Sequence, residues 1–238
     1  MEPALDGVLA EQRRYYEQRA GEYEDWWFRR GRYSHGAEAD ARWFAEVQAL
    51  RGELRRMEPH GEVLELACGT GLWTAELAAQ AEHVTAIDSA AQAIALGRGK
   101  VDAENVAWVQ ADVFGWEPEL RYDVCFFSFW LSHVPRELLA SFLTKIERAV
   151  GPGGRAIMID SARSQRASAR DHELAPPQQQ LSTRRLNDGR EYTIVKHWFE
   201  PAALQQELEE LGWSARIGCT GEFFVYGELL PPSASSAS

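Results

Sequence analysis

The pattern of hydrophobic positions divides the chain into a helical beginning and an alternating remainder. From about residue 4 to residue 56, apolar positions recur at helical spacing among many Arg, Glu and aromatic residues, and Gly31 and Gly36 interrupt the pattern. This predicts two or three helices. From Glu62 onward, short apolar runs alternate with helical stretches. That alternation is typical of a parallel sheet with helices on both faces, so we expect an α/β fold.

Five short runs of β-branched and apolar residues predict the central strands of this sheet. They occupy residues 63–66, 84–87, 106–109, 124–127 and 155–159. Helices are predicted between them at residues 72–81, 90–98 and 136–150. The last helix should end at Gly151-Pro152-Gly153-Gly154, because this sequence cannot continue a helix.

A polar stretch at residues 161–180, with Pro176 and Pro177, interrupts the alternation after the fifth strand. Extended runs at 183–186 and 190–199 then flank the turn Asn187-Asp188-Gly189, which predicts a hairpin. A helix at 201–211 and one extended region at 214–226 should complete the sheet. We therefore expect a helical lid at 1–58, a core at 59–230 with a hairpin insertion at about 161–199, and a disordered tail at 231–238.

Composition and charge limit the classes of partner. A length of 238 residues with 45% hydrophobic residues fits one α/β domain. A net charge of −11 argues against nucleic acid, because phosphates need a basic face. The three cysteines lack CxxC spacing and are expected to be free, buried thiols, and no cluster has metal-ligand spacing. No leader pattern or long apolar run is visible, so we expect a cytoplasmic protein that does not contact a membrane.

A strand, a glycine-rich turn and a helix follow one another at residues 63–74, in the sequence VLELACGTGLWT. Gly69 and Gly71 allow a sharp turn and close approach of a ligand to the backbone, and the helix that follows presents free N–H groups. Both dinucleotides and S-adenosylmethionine bind such turns. The third glycine of a dinucleotide site is replaced by Thr74 beside Trp73, and Glu65 would repel a pyrophosphate. These features favour S-adenosylmethionine.

Two acidic residues follow the next two predicted strands. Asp88 lies 19 residues after Gly69, which matches the ribose-binding acid of nucleotide folds. A carboxylate can accept hydrogen bonds from both ribose hydroxyls. Asp112 follows the third strand, where it could accept a hydrogen bond from an adenine amino group while Val113 packs on the ring.

Residues 65–71, Asp88, Asp112 and residues 151–154 resemble the successive motifs of class I S-adenosylmethionine-dependent methyltransferases, over about residues 61–160. The resemblance implies a Rossmann-like sheet, with S-adenosylmethionine as cofactor and S-adenosylhomocysteine as product. The resemblance further implies which residues contact the cofactor: Ala67, Gly69 and Trp73 its methionine part, Asp88 and Ser89 its ribose, and Asp112 and Val113 its adenine. A nucleotide-binding protein without activity remains an alternative.

The fourth predicted strand runs into a loop at the carboxyl edge of the sheet, where ligands of open α/β sheets bind. We expect Ser128 and His133 to face the methyl donor. His133 could accept a proton from a substrate hydroxyl or amine near neutral pH. The alternative is a histidine at a helix start that only hydrogen-bonds to the backbone.

The predicted hairpin is rich in cations, in a chain with few lysines elsewhere. Arg184, Arg185, Arg190 and Lys196 lie within it. They could bind an anionic substrate, or they could protect an edge strand from aggregation. With Tyr15-Tyr16 and Arg19 upstream, the hairpin resembles a small actinobacterial group that includes the phosphonate O-methyltransferase of the dehydrophos pathway. The resemblance implies that an arginine and a lysine hold the anionic substrate, which we match to Arg184 or Arg185 and to Lys196.

The N-terminal aromatic run at residues 15–28 predicts a lid that closes over the pocket. Tyr16 or Tyr23 would lie near the donor, and Trp26, Trp27 or Tyr33 near the acceptor. Alternatively, these aromatics pack on the sheet or on a second subunit, which is compatible with a homodimer.

These features together predict a methyltransferase that acts on a small molecule. The leading hypothesis is O-methylation of an anionic metabolite, a carboxylate or a phosphonate, in natural-product (secondary) metabolism. One alternative is N- or C-methylation of a neutral or amine molecule with His133 as base. Another is a nucleotide-binding protein without turnover.

Overall fold

This computed structural model describes residues 5–176 and 178–232. Their main element is one sheet of seven strands. The elements follow the order α1 (Leu5–Arg19), α2 (Tyr23–Trp27), α3 (Ala37–Arg56), β1 (Glu62–Leu66), α4 (Thr74–Ala78), β2 (His83–Asp88), α5 (Ala91–Arg98), β3 (Val106–Gln110), β4 (Val124–Ser128), α6 (Arg136–Val150), β5 (Arg155–Ser161), β6 (Leu181–Arg185), β7 (Glu191–Val195), α7 (Pro201–Glu210), β8 (Ser214–Cys219) and β9 (Phe224–Leu230). The strands lie side by side in the order β3-β2-β1-β4-β5-β9-β8.

The five predicted central strands are confirmed as parallel neighbours. Their register places Leu66 of β1 beside both Ile87 of β2 and Phe127 of β4. The chain moves outward from β1 to β3 on one side and from β4 to β5 on the other. The carboxyl ends of β1 and β4 therefore flank the point where the direction reverses, which is where open α/β sheets bind ligands.

Two predicted elements differ from the structure. The helix expected at 72–81 spans only Thr74–Ala78, because the glycine turn extends to Gly71, whose φ is +78° and whose N–H donates to the Cys68 carbonyl. The single extended region expected at 214–226 was wrong. It is two antiparallel strands, β8 and β9, with a turn at Gly221, whose φ of +146° suits glycine.

Helices cover both faces of the sheet. On one face, Trp43 and Leu50 of α3 and Leu77 of α4 pack with Val63 and Val124 of the strands. On the other, α6 and α7 pack with the opposite side chains of β1 and β4. Helix α3, which lies within the residues 1–58 predicted as a lid, therefore buries an apolar face in the core.

The hairpin β6–β7 forms a separate two-stranded sheet, as expected around the turn at Gly189. Strand β6 begins two residues earlier than predicted, and β7 is shorter than the predicted run at 190–199. Helix α1 packs on it through Tyr15, which contacts Tyr192 and Ile194 in a small apolar cluster. This packing brings α1 and the hairpin together as one layer.

Several other predictions are limited or corrected by the described residues. Cys68 and Cys125 are buried and free, but Cys219 on β8 is exposed, contrary to expectation. None of the helices within the described ranges has both the length and the apolar character that a membrane span needs. Residue 4, Pro177 and most of the expected tail, 233–238, lie outside the described residues.

Candidate active site

A cavity of about 790 Å³ opens at the carboxyl edge of the parallel strands. We call it the first cavity. Its floor is formed by the residues that follow β1, β2, β3 and β4, and helix α1 forms its roof. The structure brings together here these predicted site residues: Tyr16, Ala67, Gly69, Asp88, Ser89, Asp112, Val113, Ser128 and His133.

Strained backbone marks the ends of β1 and β4. Ala67 and Phe129 both have left-handed backbone, with φ of +54° and +52°, and both line the first cavity. Residues with a Cβ rarely adopt this conformation, and such strain concentrates at functional sites. The glycine turn itself is held by the N–H of Cys68, which donates to the Ile87 carbonyl at 2.9 Å. The turn is thereby anchored to the strand that ends in Asp88.

The carboxylate of Asp88 is fixed by the backbone on both sides. One oxygen accepts from the Gly69 N–H and the other from the Ala90 N–H, each at 2.8 Å. Burial raises the pKa of Asp88 above its usual value, and the two N–H donors oppose this shift. Each carboxylate oxygen keeps a lone pair, so the group can still accept hydrogen bonds from a diol.

The turn after β3 is held from two directions. Asp112 accepts from Arg13 of α1 at 2.9 Å and from the Phe114 N–H at 3.1 Å. Lys145 of α6 donates from behind to the carbonyls of Val113 and Phe114, at 2.9 and 2.6 Å. The flat apolar surface of Val113 and the Asp112 carboxylate are therefore presented together to the first cavity.

Three predicted cofactor contacts are not on the wall of this cavity, contrary to the prediction. Glu65 points beneath the turn and accepts from the Thr74 hydroxyl at 2.6 Å, and burial raises its pKa to about 8. Gly71 packs between α5 and β3, where an added Cβ would lie 3.3 Å from Gly97 and 3.1 Å from Trp108. Trp73 is only 2% exposed and its ring packs in the aromatic core. Gly71 and Trp73 serve packing and Glu65 accepts an internal hydrogen bond, roles that the sequence motif alone does not distinguish from ligand contact.

A second cavity of about 510 Å³ adjoins the first. The two share four wall residues, Tyr16, Tyr23, Phe129 and His133. Beyond that wall, the second cavity is lined by residues of α1, the 3-10 turn Gly31–Tyr33, the segment at 161–172 and the hairpin. The two cavities are therefore immediate neighbours on either side of these side chains.

The hairpin contributes one arginine to the second cavity, and it is Arg184. Its side chain is buried, and burial lowers its pKa. Arg185 points the opposite way, is exposed, and pairs with Glu191 at 2.6 Å. Successive side chains of a strand face opposite sides, so only one of the two arginines can face the cavity. Of the two arginines predicted as substrate contacts, the structure brings only Arg184 to the second cavity.

Lys196 also lines the second cavity. Its ammonium donates to the Ser132 hydroxyl at 2.7 Å and lies 3.5 Å from Asp160. Burial lowers the pKa of Lys196 to about 8, although Asp160 opposes the shift. Asp160 is fully buried and accepts from the N–H groups of Ser132 and Ser161. The lysine is therefore held in place at one end of the cavity.

His133 sits at the shared wall with both ring nitrogens engaged. Nδ1 lies 2.6 Å from the Val195 carbonyl and Nε2 lies 2.7 Å from the Tyr16 hydroxyl. A carbonyl only accepts, so Nδ1 carries the proton and Nε2 accepts from Tyr16. Burial, followed by the charge of Lys196, lowers the pKa of His133 well below its usual value. The imidazole is therefore neutral.

Some aromatic residues of the N-terminal run line a cavity, and others pack in the core. Trp26 and Tyr33 line the second cavity, and the Trp26 indole donates to the Ala167 carbonyl at 2.8 Å. Trp27, a predicted substrate contact, lines neither cavity and packs against Trp43 and Trp73.

Some cavity residues were not foreseen as site residues. Gln12, Tyr15 and Arg19 share the cavity-facing side of α1 with Tyr16, and their spacing of three, four and seven residues is the signal of one helix face. His172 lines the second cavity from the polar excursion, where no periodic pattern indicates it.

Solved structures provide the decisive comparison. The DhpI-SAH complex is 32% identical in sequence, the match covers 97% of this chain and 100% of that chain, and the TM-score is 0.75. The DhpI-SAM-HEP complex is 34% identical, with 96% and 100% covered and a TM-score of 0.75. This chain belongs to the class I S-adenosylmethionine-dependent methyltransferases.

Other comparisons agree with this family. Residues 63–154 match the family described as Methyltransferase domain. The ubiquinone biosynthesis O-methyltransferase of Rickettsia conorii is 27% identical over 125 residues, which is 52% of this chain and only 41% of that relative. The Burkholderia thailandensis 1,6-didemethyltoxoflavin-N1-methyltransferase is 17% identical with a TM-score of 0.61, covering 98% of this chain and 92% of that one, and shows the fold alone.

The predicted family, fold class and enzyme class of this methyltransferase are thus confirmed, and its cofactor is S-adenosylmethionine. The residues of the first cavity fit the chemistry of this molecule, because they offer a fixed carboxylate to a diol, an apolar face to a base and a glycine turn to an amino-acid tail. Within residues 5–176 and 178–232, no three His, Cys, Asp or Glu side chains gather into a group that could hold a metal ion.

Proposed function

We propose that this methyltransferase transfers a methyl group to an oxygen of a small anionic molecule bound in the second cavity. One observation carries the proposal. Arg184 and Lys196 are both buried in a cavity that shares a wall with the first cavity. Buried cations are costly unless a partner compensates them, and an anionic ligand is such a partner.

The first cavity would hold the cofactor. In this proposal, Asp88 and Ser89 bind the ribose, and Asp112 and Val113 bind the adenine. The methionine part would lie against Ala67, Gly69, Ser128 and Tyr16. When bound, S-adenosylmethionine supplies an electrophilic methyl group on a sulfonium, and the sulfur keeps the electron pair of the bond that breaks.

The chain's own contribution to the reaction is positioning. A carboxylate or phosphonate oxygen is already deprotonated at neutral pH, so its lone pair can form the new O–CH₃ bond without a base. Arg184 and Lys196 would hold the acceptor's remaining charge and direct this oxygen toward the shared wall. Helix α1 covers both cavities, which excludes water from the acceptor.

N- or C-methylation of a neutral molecule is the competing reaction, and it would require His133 as base. The position of His133 at the shared wall favours this reading. Its pKa, which burial lowers well below the usual value, makes it a weak base. The engagement of Nε2 by Tyr16 also opposes this reading, because the proton-accepting lone pair is already occupied. The two reactions therefore predict different consequences for His133 and Lys196.

The test uses S-adenosylmethionine with a labelled methyl group and a panel of small carboxylates, phosphonates and amines. We expect labelled ester products from the anionic members. Lys196→Met should abolish most of the transfer without changing S-adenosylhomocysteine binding, and Arg185→Met is the matched control because this exposed arginine faces away. Transfer to amines that survives Lys196→Met would contradict the proposal. Absence of labelled product from every anionic member of the panel would also contradict it.

A further inference from the structure

Arg19 of α1 is a cation of the second cavity that has no assigned role. Its guanidinium carbon lies 5.6 Å from the ring of Tyr15, 5.0 Å from that of Tyr23 and 5.9 Å from that of Tyr33. Its Nε is buried without a hydrogen-bond partner, and no ion pair joins Arg19 to a carboxylate among the described residues. Three tyrosine rings therefore contact the guanidinium of Arg19 through cation–π interactions. Its N–H groups remain able to donate to a planar anion.

The hydroxyl of Tyr15 is a second polar group of this cavity without a partner. The residue is 0% exposed and lines the second cavity, and its oxygen makes no hydrogen bond with any residue that the structure describes. A buried hydroxyl left unpaired costs free energy, and native proteins rarely keep one without a reason. A ligand oxygen between Tyr15 and Arg19 would satisfy both groups.

The charges around the second cavity do not balance. Three cations, Arg19, Arg184 and Lys196, line it, whereas Asp160 beside Lys196 is the carboxylate that opposes them at contact distance. Within residues 5–176 and 178–232, the side chain of Arg184 makes one hydrogen bond, to the neutral carbonyl of Thr183. The charge of Glu22 raises the pKa of Tyr15. Glu22 nevertheless accepts a hydrogen bond from the Asn187 N–H and does not line the cavity. The cavity therefore holds a surplus of two positive charges.

We propose that Arg19 and Tyr15 form a second anion-binding subsite, which matches the second cavity to an acceptor carrying two negative charges. This inference rests on the proposed function and names its specificity-determining residues. Methylation of an anionic oxygen removes one negative charge, so the product would leave one positive charge of the cavity uncompensated. The product would bind more weakly than the acceptor, which favours its release and disfavours a second methylation.

Calorimetry on protein saturated with S-adenosylhomocysteine tests the charge match. At pH 7 the probes are an alkyl phosphate, which is mostly dianionic because its second pKa is about 6, the methyl ester of that phosphate, a monocarboxylate and a dicarboxylate of similar size. We expect the dianions to bind more tightly than the two monoanions. Comparison of the phosphate with the dicarboxylate then shows whether the two charges must lie on one group or on two.

Arg19→Met should weaken binding of the preferred dianion by about ten- to a hundredfold, the usual loss for a charged hydrogen bond, and binding of the monoanions by less than about threefold. Arg185→Met should leave all four affinities unchanged. Equal losses for dianions and monoanions, or no loss with Arg19→Met, would overturn the inference. If Lys196→Met and Arg184→Met also had no effect on any anion, the proposed function itself would fail.

Tyr15→Phe keeps the test decisive if Arg19→Met folds poorly. This change removes a hydroxyl that has no partner, so Tm should stay the same or rise. The affinity for the dianion should nevertheless fall by roughly three- to tenfold. A purely structural role of Tyr15 would produce the opposite pattern, with a lowered Tm and unchanged selectivity between dianions and monoanions.

Discussion

The hydroxyl of Tyr16 lies 2.7 Å from Nε2 of His133, at the wall that the two cavities share. The opposite ring nitrogen is fixed by the Val195 carbonyl, so the phenol donates and the imidazole accepts. Tyr16 is consequently left with lone pairs and no free proton. The Tyr16 oxygen can therefore accept a hydrogen bond from a ligand, whereas His133 has no free lone pair with which to take a proton from a substrate.

The first prediction concerns His133. If it orients Tyr16, His133→Gln should keep an acceptor for the phenol and reduce the single-turnover rate less than His133→Ala, with losses of about tenfold or smaller. A general base would cost about 10²–10⁴-fold in both variants. The pKa of His133 lies well below its usual value, so its titration should not appear as an acidic limb between pH 6 and 7.5. A limb in that range that disappears in His133→Gln would support the base instead.

The second prediction concerns the pH dependence of anion binding. Lys196 binds an anion in its protonated form, and its pKa is lowered to about 8. The charge is present below that value and is lost as the pH rises through it, so affinity for an alkyl phosphate should fall above pH 8. Calorimetry between pH 7 and pH 9.5 measures this fall.

Lys196→Arg is the matched control, because a guanidinium stays charged over this range. Its affinity for the phosphate should be nearly independent of pH, even if it is lower at pH 7. A decline of the same size in both proteins would assign the titration to another group.

The third prediction separates the two glycines of the turn. An added Cβ at Gly71 would lie 3.1 Å from both Trp108 and Val101, whereas at Gly69 nothing lies within 4 Å. Both have left-handed backbone. Gly71→Ala should lower the free energy of unfolding by about 2–4 kcal/mol through strain and crowding. Gly69→Ala should cost about 1 kcal/mol and weaken S-adenosylhomocysteine binding by roughly tenfold, since its methyl group enters the first cavity.

Denaturant unfolding and calorimetry on the same two variants check this contrast. The expected result is a crossed pattern, with stability lost mainly in one variant and affinity mainly in the other. Equal losses of affinity in both variants would indicate that Gly71 also contacts the cofactor, as the sequence motif suggested.

The sequence was sufficient to identify the residues at the strand ends, because a parallel sheet fixes the edge at which the carboxyl ends of its strands lie. Residues that directly follow neighbouring parallel strands lie at one edge, so Gly69, Asp88 and Asp112 had to meet there. The ligand contacts predicted for Trp73 and Trp27 are a different case, because neither residue lines a cavity. A tryptophan beside a motif satisfies core and ligand roles equally well, and only three-dimensional packing distinguishes them.

The hairpin shows where local register limits prediction. Arg184 pairs with Tyr192 and Arg185 with Glu191, and a slip of one residue would exchange the arginine that faces the cavity. The sequence contains both arginines in an extended run and does not specify the register. By contrast, the α1 residues Gln12, Tyr16 and Arg19 lie at helical spacing, so this face was predictable once the helix was assigned.

The fourth prediction concerns α1 as a cover of the first cavity. Gln12 is buried, accepts from the Val195 N–H at 2.9 Å and donates to the His133 carbonyl at 3.1 Å. Arg13 reaches the opposite side of the cavity and pairs with Asp112, with both side chains partly exposed. We expect these contacts to hold α1 closed over the cofactor.

Arg13→Met should accelerate dissociation of S-adenosylhomocysteine by several-fold while changing the free energy of unfolding by less than about 1 kcal/mol, because exposed ion pairs contribute little to stability. Arg14→Met is the matched control, since Arg14 is exposed on the same helix and lines neither cavity. Stopped-flow displacement monitored by tryptophan fluorescence measures the rate, because Trp130 lines the first cavity. Added salt should accelerate dissociation from the wild type but not from Arg13→Met, since it screens the same ion pair. Equal rates for Arg13→Met and Arg14→Met would show that α1 does not control cofactor release through this contact.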